Sequence, residues 1–365
     1  MTKIKEITAF LETIAPRNFQ ESYDNSGLLT GSSSWIVSGV LVTLDCTEDV
    51  VQEAIDHKIN LIIAHHPIIF KGLKKLTGQN YVERTIIKAI KNDIAIYAIH
   101  TNLDNVDQGV NKQIAETLGL INLKILAPKT DTLAQLVTFA PKEKTAEVLQ
   151  ALHEAGAGNI GNYTNCSHQS PGIGSFLPTA NASPTVGTIN ELEKTEEDRI
   201  EVIFPIHLES RILGSLRKAH PYEEVAYYVT RLENENQEVG SGMIGELSEA
   251  AEPNEFLKRL KTKMKAGCIR HTALIDKKIR KVAVCGGSGS FLLSKAVAAG
   301  ADIYISADFK YHEFFDADRK IIIADIGHYE SEQYTKELII GILKEKFTTF
   351  AINFSKTVTN PISYI

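Results

Sequence analysis

The chain has 365 residues, of which 43% are apolar and 23% charged, with a formal net charge of −6. That length exceeds what one ordinary core accommodates, so two domains are expected. No apolar run approaches the ~20 residues of a membrane span, and no lysine- or arginine-rich block exists to favour nucleic acid.

The opening stretch MTKIKEITAFLETIAP is amphipathic, with Ile4, Ile7, Phe10, Leu11 and Ile14 at helical spacing, and lacks the continuous apolar core of a signal peptide. Residues 38–46 (SGVLVTLDC) read as a strand and 47–58 as a helix capped by Thr47. A strand over 59–64, a helix over 80–93, a strand over 94–99 and a helix over 110–120 closed by Gly119 come next. Apolar strands alternating with helices predict a largely parallel sheet with flanking helices, an α/β arrangement.

From Leu133 to Gln237 the texture changes. A strand and a helix lead to a glycine- and asparagine-rich loop (156–180), then alternating strands and a helical stretch over 210–229. This predicts an α+β module inserted into a discontinuous α/β domain, with 1–128 and 241–365 outside and 129–240 inside. The α/β pattern then returns: strand and glycine turn over 280–290, helix and strand over 295–308, and a helix over 309–319. A strand over 320–327, a long helix over 328–347 and a strand over 349–355 complete it.

The stretch LIIAHHPIIF places His65 and His66 where a buried strand ends, with Pro67 unable to continue the ladder. In open α/β sheets, ligands gather at carboxyl ends of strands. The next strand ends at HTNLD, which brings His100 and Asp104 to the neighbouring strand end, ~5 Å away. A third segment, GHYESEQY, carries His328 and Glu332 at i and i+4 on one helix face after a strand. Taken singly, each fragment has an ordinary structural explanation. Together His65, His66, Asp104, His328 and Glu332 predict a metal site. Mixed imidazole and carboxylate ligation suits zinc, iron, manganese, cobalt or nickel. These ligands exceed what one zinc takes, so two divalent ions sharing a carboxylate and lowering the pKa of a common water are expected.

Asp308, Lys310 and His312 lie after a further strand and are candidates for acid/base work or for orienting the ligands, with a plain helix start as the alternative. His100 is a candidate to orient Asp104. Asp24 and Asn25 read as cavity wall or turn. The run GGSGS (286–290) reads as a tight turn, with anion binding as the alternative. HPYEE (220–224) reads as polar surface. Cys46, Cys166, Cys268 and Cys285 form no CxxC pair, which points to reduced thiols in cytoplasm.

In order along the chain, YDNSGLLTG (23–31), LIIAHHPIIF (61–70), AIHTNLD (98–104), VAVCGGSGS (282–290), GADIYISADFKYHE (300–313) and DIGHYESE (325–332) resemble the dinuclear metal-centre proteins named GTP cyclohydrolase 1 type 2 homologs. The resemblance implies that His65, His66, Asp104, His328 and Glu332 ligate two divalent ions. It also implies a PII/CutA-like insert and a toroidal homohexamer with the metals facing an internal cavity. Tyr23 and Ser306-Ala307-Asp308 depart from the family pattern, which has tryptophan and Thr-Gly-Asp there. Two functions are then expected to compete. One is a metal-dependent hydrolase acting on a nucleotide, phosphoester or related small molecule. The other is a non-catalytic regulatory, scaffold or metal-carrier protein.

Overall fold

Ile4, Ile7 and Leu11 lie on one face of the first helix, Ile4–Ile14, and all three are fully buried. The computed structural model, which describes residues 1–365, continues with strands β1 (Gly27–Thr30) and β2 (Gly39–Thr43). Thr47 caps the helix Glu48–Asp56 by accepting the Val50 amide. Strand β3 (Leu61–Ala64), helix Tyr81–Lys91, β4 (Ala95–Ala98), a single turn Thr101–Asp104 and helix Val110–Leu118 come next. Gly119 ends that last helix in the left-handed conformation, φ 80°. Strand β5 (Leu120–Lys129) leads to β6 (Leu133–Pro141), helix Thr145–Glu154, β7 (His168–Phe176), β8 (Glu193–Pro205), helix Glu209–Ala219 and β9 (Tyr227–Leu232). The chain closes through β10 (Asn236–Ala251), helix Pro253–Lys263, β11 (Arg270–His271), β12 (Ile279–Ser288), helix Leu293–Ala298, β13 (Ile303–Ala307) and β14 (Ile322–Asp325). Helix Thr335–Lys346 and β15 (Ala351–Phe354) end it. No helix is long and apolar enough to cross a membrane.

Two compact units result, residues 1–128 with 238–365, and residues 129–237. The larger holds two sheets. One runs β1-β4-β3-β2-β15, parallel from β15 to β4 with β1 antiparallel at its edge. The other runs β11-β14-β13-β12-β10-β5, and only β12, β13 and β14 are mutually parallel. Both bury side chains on both faces, as their unbroken apolar runs require. One continuous core joins Val40, Leu61 and Tyr97 of the first sheet to Val282, Ile303 and Ile322 of the second. The parallel strands of both sheets therefore bring their carboxyl ends to one place in the larger unit, and that is where the candidate site residues gather. The smaller unit is a βαββαβ fold with all strand pairs antiparallel, order β7-β8-β6-β9, and its own core around Leu136, Leu152 and Phe204.

Five local expectations are corrected. The helix predicted over 328–347 is two pieces, His328–Glu332 and Thr335–Lys346. The segment 309–319 forms a 3-10 turn, Tyr311–Ala317, rather than an α-helix. Residues 286–288 extend strand β12 instead of turning. In the smaller unit, β7 emerges from the supposed glycine-rich loop; Pro171 is tolerated because β7 is an edge strand. The stretch after Ala219 likewise becomes strand β9.

The smaller unit leaves and rejoins the larger one through sheet neighbours: a Cβ on Gly240 would lie 2.3 Å from the Ala127 carbonyl oxygen and 2.7 Å from Pro128 Cα. Removing residues 129–237 and joining Pro128 to Glu238 with an Asn-Gly turn should therefore leave a chain that unfolds in one cooperative thermal transition by circular dichroism. A broad, non-cooperative melt would show that the larger unit needs the smaller one.

Candidate metal centre

The sequence-predicted residues arrive at the site from two sheets. His65 and His66 come directly after β3, and their amides still bond the Thr43 and Leu44 carbonyls. The chain beyond β4 turns at once into Thr101–Asp104, setting Asp104 at the end of one helical turn. His328 and Glu332 occupy the turn after β14. His66 Nε2 and a Glu332 oxygen, 266 residues apart in the chain, lie 2.9 Å from each other.

Three imidazoles share one arrangement. Each sends Nδ1 to an anchoring oxygen and points Nε2 inward. His65 Nδ1 donates to the Ile99 carbonyl at 2.8 Å, His66 Nδ1 to the Asp45 carboxylate at 2.8 Å, and His328 Nδ1 to the Asp308 carboxylate at 2.6 Å. Acceptor-only oxygens at Nδ1 hold a proton there, so Nε2 is the nitrogen each ring would offer a cation once its own proton has left. These nitrogens converge on Glu332: His65 Nε2 is 3.9 Å, His66 Nε2 2.9 Å and His328 Nε2 3.2 Å from its oxygens. His65, His66 and Glu332 offer donor atoms all within 4.8 Å of one another. Asp104 Oδ1 stands 3.5 Å from His65 Nε2, and both atoms are buried without a hydrogen-bond partner. A ring nitrogen and a carboxylate oxygen left without partners together in a buried site fit a divalent cation between them.

The electrostatics agree. Burial pulls the His66 imidazole down, but the Glu332 charge and its bonds to Asp45 and Glu332 raise it to about 9. His328, likewise opposed by burial, is raised to about 11 by Glu332 and Asp308. Burial disfavours the Glu332 carboxylate, yet the charges of His328 and His66 hold it well below its ordinary value. Burial pushes Asp104 up, against the pull of His65. Burial also pushes the Cys46 and Cys285 thiols up to about 12, so both behave as apolar groups and leave the donors as nitrogen and oxygen.

The remaining candidates divide. Asp308 reaches the site: its backbone is left-handed, φ 58°, and that strained corner aims the carboxylate at His328. Lys310 and His312 lie beyond the corner, exposed and outside the cleft wall. His100 lines the cleft but does not orient the Asp104 carboxylate, because its Nδ1 bonds Asp24 at 2.8 Å. The glycine run makes no phosphate cradle, since the Gly286 amide goes to Asn111 Oδ1 and the Gly287 amide to Ser331 Oγ. Its role is room: a Cβ on Gly287, which has φ 60°, would lie 2.5 Å from a Glu332 oxygen. Asp45, which also accepts the Thr359 hydroxyl at 2.7 Å, was missed by sequence reasoning. The strand-end rule applied to β2 would have found it, since Asp45 stands two residues past that strand.

Gly287→Ala in the purified protein should cost about 1–3 kcal/mol of stability and displace Glu332, so bound metal should fall in elemental analysis; metal content equal to the parent's would contradict the packing argument. A second expected outcome concerns protons. His66 and His328 have raised folded-state pKa values, so their stabilisation of the metal-free site is complete below pH 6.5. It is lost as pH rises through about 9 and about 11. Metal binding at pH 7 should then release about two protons per chain, measured by titration calorimetry in buffers of different ionisation enthalpy. Release of none would show that metal displaces no protons from these imidazoles.

Residues 2–361 match the family model for Duf34/NIF3 (NGG1p interacting factor 3). A Bacillus subtilis protein named GTP cyclohydrolase 1 type 2 homolog is 39% identical across 99% of this chain and 98% of its own. One of the same name from Halalkalibacterium halodurans is 38% identical across 98% of both. Among solved structures, the Bacillus cereus protein related to NIF3 superposes with a TM-score of 0.88 at 38% identity. It covers 100% of this chain and 99% of that one. A Staphylococcus aureus structure superposes at 0.79 and 30% identity, covering the same shares. By sequence and by fold alike, the chain belongs to the Duf34/NIF3 family.

Proposed function

We propose that this protein is a dinuclear divalent-metal hydrolase acting on a nucleotide or related small molecule. The observation that carries the reading is the shared arrangement of His65, His66 and His328, each anchored at Nδ1 with Nε2 turned toward the Glu332 carboxylate. His65, His66, Asp104, His328 and Glu332 would hold two ions of zinc, iron, manganese, cobalt or nickel, with Glu332 and Asp104 as the groups able to bridge. Such ions, when bound, polarise an electrophilic centre and lower the pKa of a water. The protein's own part is positioning. Asp45 and Asp308 fix the rings of His66 and His328, and the Ile99 carbonyl fixes His65. Asp308, half-exposed at the rim, orients the His328 ring and is the acid/base candidate that borders both the cluster and solvent. A cleft of about 460 Å³ opens over the cluster, large enough for a small-molecule substrate.

The same reading extends to the assembly. The βαββαβ topology of residues 129–237 supports a PII/CutA-like insert. A cytoplasmic homohexamer with the clefts facing an internal cavity rests on the family resemblance.

Elemental analysis of protein purified without chelator, beside Glu332→Ala, tests the centre. About two equivalents of a first-row metal per chain are expected, falling below one in the variant. The loaded protein should then hydrolyse members of a nucleotide and phosphoester panel, and Glu332→Ala should not. No metal in either protein, even after reconstitution, would refute the centre. Two ions that exchange readily, with no turnover across the panel, would make this a metal carrier or regulatory protein instead.

A further inference from the structure

The wall of the metal cleft carries four carboxylates, Glu21, Asp45, Asp104 and Glu332, and no lysine or arginine. Two divalent ions would balance those four charges and leave no surplus for a polyphosphate chain. Sites for such chains supply cationic forks or free backbone amides. Here the Gly286 and Gly287 amides are already bonded within the protein. Lys71, Lys74 and Lys75, the basic residues next to the cleft in sequence, stand on an exposed segment outside its wall.

Several neutral polar side chains of the wall are committed too. Asn105 donates to the Phe19 carbonyl and the Glu21 carboxylate, and its oxygen accepts from Ser241. Asn111 joins the Asp104 carbonyl to the Gly286 amide, and Asn360 donates to Glu330. Much of what the wall leaves exposed is aromatic surface. Tyr23, Phe70 and Phe291 are 68%, 52% and 66% exposed, although each lines the cleft. The Phe70 ring stands edge-on to His100, with centroids 5.6 Å apart. Exposed aromatic faces around a cation site favour stacking of a planar ring whose acceptor atoms reach the ions.

Building on the metal-hydrolase reading, we infer that the substrate is a compact aromatic heterocycle of the nucleobase or nucleoside kind, bearing at most one anionic group. The cleft discriminates against nucleoside polyphosphates. Recognition comes from ring stacking on Phe70, Tyr23 and Phe291 and from the metal-held oxygens or nitrogens, not from phosphate contacts.

The experiment is titration calorimetry of the full-length, metal-loaded protein with guanosine, its monophosphate and its triphosphate. Metal content is measured before and after each titration, because triphosphates chelate. The expected result is that guanosine and the monophosphate bind, and that the triphosphate binds at least about tenfold more weakly. Phe70→Ala should weaken guanosine about tenfold, the order of one lost stacking contact, with metal content unchanged. A triphosphate that binds more tightly than guanosine while the metals stay in place would overturn the inference. So would its loss of affinity in Lys71→Ala/Lys74→Ala/Lys75→Ala, or a complete series that fails to bind. Protein that carries no metal fails the metal-centre reading instead, and the elemental analysis registers that separately from any binding curve.

Discussion

Glu332 is a carboxylate with a side chain only 3% exposed, set on a helical turn inside an otherwise apolar core. Burying an unpaired carboxylate costs several kcal/mol, so the fold must surround it with compensating groups or lose it to protonation. His66 and His328 supply that compensation, and each depends in turn on a further carboxylate, Asp45 or Asp308, to hold its ring. Much of the local architecture serves this one group. Gly287 clears space beside it, and Ser331 binds the Gly287 amide on one side and the His328 carbonyl on the other. The interruption between Glu332 and Thr335 lets the turn face the site while the following helix returns to the core. The same charge array that steadies Glu332 with protons would hold metal ions more strongly, because neutral imidazole and carboxylate are better satisfied by divalent cations than by one another.

Parallel strands explain why the groups meet at all. A parallel sheet delivers the loops at its strand ends to one edge, and this chain does so twice, with β2, β3 and β4 in one sheet and β12, β13 and β14 in the other. Asp45, His66 and Asp104 come from the first edge, and Gly287, Asp308 and His328 from the second. Because one core packs between the sheets, the two edges hold a fixed separation, and no flexible loop has to bring the halves together.

Much of this was legible in the sequence because it is periodic or local. Apolar runs ending in HH, in HTNLD and in IGHYESE mark both a strand and, at its end, the loop with the candidate ligands. An i/i+4 pair places His328 and Glu332 on one face without tertiary knowledge. The missed features are those where tertiary context overrides local preference. Strand β7 is rich in glycine and proline and exists because β8 pairs with it along nine positions. The glycines at 286 and 287 resemble a turn, yet they continue β12 because Glu332 and Ser331 pack against them. Sequence proximity pairs His100 with Asp104, whereas the ring turns toward Asp24, 76 residues earlier. Lys310 and His312 share a strand end with Asp308, but the left-handed residue between strand and turn sends them outward. A single positive φ therefore separates the residue that reaches the site from the two that do not.

The site's assembly also ties metal to stability. Its two halves meet only when segments hundreds of residues apart have folded together, so the unfolded chain has no comparable array and a metal ion would bind the native state selectively. At free metal a hundredfold above its dissociation constant, one such site adds about 2.7 kcal/mol to native stability, a large share of the total for an ordinary domain. The buried donors are costly without a cation: His65 Nε2 and Asp104 Oδ1 lack hydrogen bonds, and Asp308 holds a left-handed backbone. A fold selected for stability alone would replace these groups with apolar ones of equal volume. Their presence at the floor and rim of an open cleft is what a binding or catalytic centre requires and what a purely structural core does not.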